Sequence, residues 1–145
     1  MGSSLHDENH NFKTELQHLH FALYNFSFVS VDTKFPGWLR QTPRFGSDDV
    51  RYADMKYNID KTRLVQLGLT LSDGNRGVLK TWEFKFAFDL GKESYNKDFV
   101  RFLKKNGIDF DKLRSDGINW DEFWHEFAAL LPRHRNLTWV TFHGS

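Results

Sequence analysis

The sequence of 145 residues contains no cysteine. That excludes disulfides, thiolate metal centres and a cysteine nucleophile, and it is compatible with a reducing compartment. A dominant charge is also missing: 20 Lys and Arg against 19 Asp and Glu leave a net charge of +1. Nothing in that balance demands nucleic acid, although a local basic patch is still permitted. No run of about 18 apolar residues occurs, and the start, Met1-Gly2-Ser3-Ser4-Leu5-His6, lacks an apolar stretch of signal length. The chain therefore reads as soluble and intracellular, cytoplasmic or nuclear, with no membrane partner. His6 stands where N-myristoylation wants Ser or Thr, so the fit to that motif is poor. Internal repeats and low-complexity segments are absent too.

Aromatic side chains are plentiful. They make up 17% of the chain, with 15 Phe and 5 Trp, and hydrophobic residues reach 39%. This suffices for one domain with a packed core and argues against disorder. Residues 1–10 are polar and read as a flexible N-terminus, leaving 11–145 as a single domain. Phe12, Leu16, Leu19 and Leu23 recur at helical spacing and predict an amphipathic helix over about 11–24. His18 and His20 flank that stripe. Separated by one residue, they point to different helix faces, make a poor metal pair and are expected in solvent.

Pro36, Gly37, Pro43 and Gly46 mark 35–46 as a loop, and Ser47-Asp48-Asp49 looks like a helix start that Val50, Ala53 and Tyr57 continue. Arg40, Arg44 and Arg51 in or near this loop either track a phosphate backbone or form a solvated basic surface. Val65, Leu67, Leu69 and Leu71 alternate as a strand, and Asp73-Gly74-Asn75 is a turn. In the segment 79–88, Trp82, Phe84, Phe86 and Phe88 face one way and Thr81, Glu83, Lys85 and Ala87 the other, so one side is core and one is wet. Asn96 then caps a helix with Phe99, Phe102 and Leu103 expected inside and Gly107 as its stop. Phe110 and Leu113 form a short helix ending at Gly117. Asn119 caps another, with Trp120, Phe123, Trp124, Phe127, Leu130 and Leu131 as its apolar face and Asp121, Glu122 and Glu126 in solvent. Pro132 ends it, Arg133-His134-Arg135-Asn136 is a basic loop, and 137–142 is a last strand. This order predicts a mixed α/β sheet with flanking helices.

One strand carries the chemistry. Phe26 to Lys34 is apolar at its start and leads through Asp32-Thr33-Lys34 into Phe35-Pro36-Gly37. Residues i and i+2 of a strand share a face, so Asp32 and Lys34 sit side by side at its end. Two carboxylates there would be half of a two-metal site; a carboxylate and an ammonium form an ion pair.

Six stretches in register now carry a resemblance. They are Val31–Gly37, Tyr57-Asn58-Ile59-Asp60, Val65–Leu71, Thr81-Trp82-Glu83-Phe84, Asn106–Phe110 and Trp139–Ser145. In this order the chain resembles, over about 11–145, the Caf/Pop-type poly(A) deadenylases of the Ccr–Not complex, members of the DEDD exonuclease superfamily. The resemblance implies a ribonuclease-H-like sheet with three antiparallel strands and a fourth parallel to the first. It also implies 3′-end shortening of mRNA poly(A) tails with Mg²⁺ or Mn²⁺ held by four acids, one ion activating water and the other stabilising the leaving oxygen.

The match is incomplete. Asp32 corresponds to the first acid, but Lys34 stands where the family pattern has a Glu, and the third and fourth acids belong after residue 145. Read this way, Asp32 is the remnant of a site, stable metal binding is not expected, and the chain is a truncated N-terminal half that is catalytically inactive. The alternatives are a non-catalytic module binding RNA or Ccr–Not scaffold subunits, and a deadenylase active only as part of a longer chain. With a last strand at 137–142, Leu137, Trp139, Val140 and Phe142 are expected on an exposed apolar edge that invites self-association.

Overall fold

Four short segments of alternating hydrophobicity join into one sheet. The structure, a computed structural model, describes residues 8–37, 46–50, 53–54, 57, 63–74 and 79–141. Strands β1 (Phe28–Lys34), β2 (Gln66–Ser72), β3 (Leu79–Lys85) and β4 (Thr138–Thr141) lie in the order β3-β2-β1-β4. β1 and β3 each pair antiparallel with β2, and β4 runs parallel to β1. This is the mixed sheet that the resemblance implies. A parallel return needs a long crossover, supplied by helices α2 (Lys97–Lys105), α3 (Phe110–Asp116) and α4 (Trp120–Leu130) and a 3₁₀ turn at Leu131–Arg133; helix α1 (Glu8–Ala22) precedes the sheet.

The alternation sends Leu67, Leu69 and Leu71 of β2 to one face, where they join Val29, Phe84 and Phe86. Helices α1 and α4 cover that face with Phe12, Leu16, Leu19, Phe123 and Phe127. Phe123 is fully buried, its ring centroid 4.9 Å from that of Phe84 and 5.0 Å from that of Phe86. A second cluster gathers α2 and α3 around Val65 and Phe88 through Val100, Leu103, Phe110 and Leu113.

The helix ends follow local chemistry. Asn96 Oδ1 accepts from the N–H groups of Asp98 and Phe99, and Asn119 Oδ1 accepts from that of Glu122 at 3.0 Å. Gly107, at φ 97°, carries the chain out of α2 in a conformation that favours glycine. After β3, Phe86 continues only as an isolated parallel bridge to Ile118.

Several expectations are corrected. α1 spans Glu8–Ala22, so it begins earlier than the expected residue 11. On α2 the buried residues are Val100 and Leu103, while Phe99 and Phe102 are 38% and 60% exposed. Positions 100 and 103 satisfy helical periodicity as well as 99 and 102 do, and the second cluster receives the former pair. Trp124 is half exposed, stacked on Trp120 at 5.9 Å instead of buried. His20 is buried, because a second histidine partners it. Residues 48–50, 53–54 and 57 are helical as expected, and the Val50 N–H donates to Ser47 Oγ at 3.2 Å. Residues 1–7, the three loop arginines Arg40, Arg44 and Arg51, Asn58–Asp60 and Phe142–Ser145 lie outside the described residues.

Candidate functional site

Strand alternation turns Val29 and Val31 of β1 into the core and leaves Ser30, Asp32 and Lys34 on the opposite sheet face. The register then builds rows across three strands. Asp32 lies opposite Gly68, and Gly68 opposite Glu83. The neighbouring row is Lys34, Gln66 and Lys85. Strands are spaced about 4.8 Å apart, so Asp32 and Glu83 stand on backbones roughly 10 Å apart with only a glycine between. The result is a shallow groove of about 150 Å³ whose walls include Asp32, Gln66, Thr70, Thr81 and Glu83 and whose floor is Gly68.

At Asp32, on the wall of that groove, the Lys34 ammonium donates to Oδ2 at 3.2 Å, with both side chains partly in water. Gln66, buried, directs its amide Nε2 toward Glu83 Oε2 at 3.5 Å. The end of β1 is fixed from behind. The Val65 N–H donates to Lys34 O at 2.7 Å, and the Asn96 N–H donates to Pro36 O at 3.0 Å. Gly37 has φ 101°, and the Phe99 ring packs so close that a β-carbon on Gly37 would lie 2.5 Å from Phe99 Cβ. The turn after the ion pair is therefore clamped to the start of α2.

These donors do not fit a pair of hard divalent cations. Mg²⁺ and Mn²⁺ want several oxygen ligands converging on one point. Here one carboxylate holds an ammonium, and the nearest acid in its row is two strands away. Among the described residues no three His, Asp or Glu side chains are grouped to hold a metal ion.

One close pair of ionisable groups was not legible beforehand. His20 Nδ1 and His134 Nε2 are 2.9 Å apart and buried. The pKa of His134 is lowered from the ordinary imidazole value by burial first, then by the charges of His20 and Arg133. These residues are 114 positions apart, so no spacing rule could have joined them.

A family model described as CAF1 family ribonuclease matches residues 8–130, from α1 to the end of α4. The chain belongs to the CAF1 ribonuclease family. An Arabidopsis thaliana relative named as probable CCR4-associated factor 1 homolog 5 is 43% identical over 137 residues, covering 93% of this chain and 49% of the relative. The solved Mg²⁺- and Mn²⁺-bound form of S. pombe Pop2p superposes with a TM-score of 0.81 at 32% identity, covering 93% of this chain and 56% of that one. A yeast CAF1 co-crystallised with the NOT1 MIF4G domain gives a TM-score of 0.67 at 30% identity, covering 92% and 50%. This CAF1-family chain thus spans about half the length of the relatives it matches.

Proposed function

We propose that this CAF1-family chain serves poly(A)-tail metabolism as a binding subunit of a Ccr–Not-type assembly and does not itself hydrolyse RNA. The observation that carries the reading is the Lys34 ammonium 3.2 Å from Asp32 Oδ2. Unit charges about 4 Å apart interact by about 1 kcal/mol in water and about 4 kcal/mol at an effective dielectric of 20, and a divalent ion doubles either figure. A catalytic cation at Asp32 must displace or face that ammonium. S. pombe Pop2p, of the same fold, is known in a Mg²⁺- and Mn²⁺-bound form, which supports a metal-dependent ancestry. The yeast CAF1 held by the NOT1 MIF4G domain supports docking onto a scaffold of that kind.

The test combines two assays on the purified chain. Incubation with 5′-labelled poly(A) and Mg²⁺ or Mn²⁺ is expected to leave the RNA at full length, while a NOT1-type MIF4G domain is expected to retain the protein in a pull-down. EDTA-sensitive shortening of the RNA overturns the inactive reading, and failure to bind the scaffold domain overturns the docking. RNA gel shifts across a salt series separate an RNA partner, whose affinity falls steeply with salt, from a protein partner.

A second reading concerns assembly. Among the described residues β4 is an edge strand of the sheet, and Trp139 and Val140 are 42% and 37% exposed along it, whereas Leu137, expected there too, packs against the core. Such an edge pairs readily with another strand, so self-association is proposed. A monodisperse monomer by light scattering counts against it.

A further inference from the structure

Two segments distant in sequence meet through buried imidazoles. His20 lies in the last turn of α1, and His134 lies between the 3₁₀ turn and β4. Their facing nitrogens are 2.9 Å apart, and the two residues are only 7% and 9% exposed. The two rings meet edge to face with centroids 4.9 Å apart. The Tyr24 ring closes the cluster, 5.3 Å from His20 and 4.7 Å from His134.

At 2.9 Å the two facing nitrogens must share a proton: one donates N–H and the other offers a lone pair. One added proton, placed on an outer nitrogen, leaves this bond in place. A second proton puts N–H on both facing nitrogens, removes the acceptor and sets two positive rings against each other. We propose that His20 and His134 form a proton-operated clasp that fastens α1 to the segment entering β4 and opens on acidification. The clasp lies near the docking of that strand. Thr138, four residues after His134, donates its N–H to Ser27 O at 2.8 Å, and β4 ends with Thr141 paired to Val31, the residue before Asp32. Opening the clasp therefore loosens the strand that flanks the candidate groove.

The surroundings favour opening. From α1 and the turn after it, His20 and Tyr24 face His134; on its own segment Arg133 acts on it. Both charges bearing on His134 are cationic once His20 is protonated. Arg135, the next cation on that segment, donates its Nε–H to Pro132 O at 3.4 Å. Because the folded state holds His134 neutral below the ordinary value, it binds fewer protons than the unfolded chain does. Its contribution to stability is then complete above about pH 6.5 and is lost as pH falls below that value.

The experiment is a pH series on the whole ¹⁵N-labelled chain, reading imidazole ¹H–¹⁵N shifts and hydrogen exchange of the Thr138 amide, corrected for the intrinsic pH dependence of exchange. His134 is expected to titrate below about 6.5, and Thr138 protection to fall about tenfold for each unit by which the His134 pKa is lowered. In His134→Gln, which keeps a hydrogen-bonding side chain without an imidazole to titrate, corrected protection is expected to stay flat across the same range. A His134 that titrates at or above the ordinary value, or Thr138 protection that falls equally in both proteins, overturns the clasp. Should the variant not fold, the wild-type titration decides alone.

Discussion

The backbone of Gly117 runs directly against that of Ala87. The Ala87 N–H donates to Ile118 O at 2.8 Å and the Ile118 N–H donates to Lys85 O at 2.9 Å, which draws the end of α3 onto the continuation of β3. Gly117 has φ −65°, a conformation open to any residue, so glycine is there for space alone. A β-carbon would meet Ala87 N, Ala87 Cα and Leu113 O. Gly117→Ala is expected to destabilise by about 1–3 kcal/mol, the usual cost of overpacking. Gly68→Ala is the control, because its β-carbon would rest in ordinary contact 3.7 Å from Asp32, and a change below about 1 kcal/mol is expected. Equal urea midpoints for the two variants would sink this account.

Phe123 is the centre of the aromatic core. It is fully buried, with Phe12, Phe84, Phe86, Trp120 and Phe127 all within ring-contact distance. Phe123→Ala is expected to cost about 3–5 kcal/mol, a large share of the stability of a domain this size. Phe123→Leu keeps much of the volume and is expected to cost less. Urea unfolding of both variants checks the order; a Leu variant as damaged as the Ala variant contradicts it.

Helix α2 offers a contrast between neighbours. Leu103 is 5% exposed and Phe102 is 60% exposed. Leu103→Ala is expected to cost about 2–5 kcal/mol, while Phe102→Ala is expected to change stability by less than about 0.5 kcal/mol. Thermal melts read the difference directly. A larger loss at Phe102 would mean that the ring is covered in solution, most simply by another chain.

That contrast also shows where the sequence was readable. Asn96 and Asn119 announced their helices because a capping side chain acts on backbone groups two or three residues away. The faces of β2 and of β3 with the segment that follows it were legible because alternation is strict over Leu67, Leu69 and Leu71 and over Phe84, Phe86 and Phe88. The parallel placement of β4 came from the resemblance, since pairing between distant strands leaves no local mark. On α2, two sets of residues fit one helical period, and only the packing of Val100 and Leu103 into the second cluster chose between them. The row Asp32, Gly68, Glu83 and the pair His20–His134 required a register and a docked helix, which are properties of the assembled sheet.

The ion pair at the end of β1 gives the sharpest prediction. On the proposed reading Lys34 opposes a cation at Asp32 in two ways, by its charge and by its contact with one carboxylate oxygen at 3.2 Å. Lys34→Met removes the charge at similar length, and Lys34→Glu adds a second carboxylate on the same strand face. If charge alone excludes the metal, both variants bind Mn²⁺ more tightly than wild type. If oxygen ligands are also needed, only Lys34→Glu does so, because a thioether is a poor ligand for a hard cation. The latter is expected, with weak Mn²⁺ binding in Lys34→Glu seen by calorimetry and by water-proton relaxation, and no heat in wild type or Lys34→Met. Poly(A) shortening is expected to stay absent in Lys34→Glu. Among the described residues the only further acid in the row, Glu83, stands across Gly68 on a backbone roughly 10 Å away, too far to close a two-metal centre. Tight Mn²⁺ binding by the wild-type chain would show that the ammonium yields, and the binding-subunit reading would lose its support.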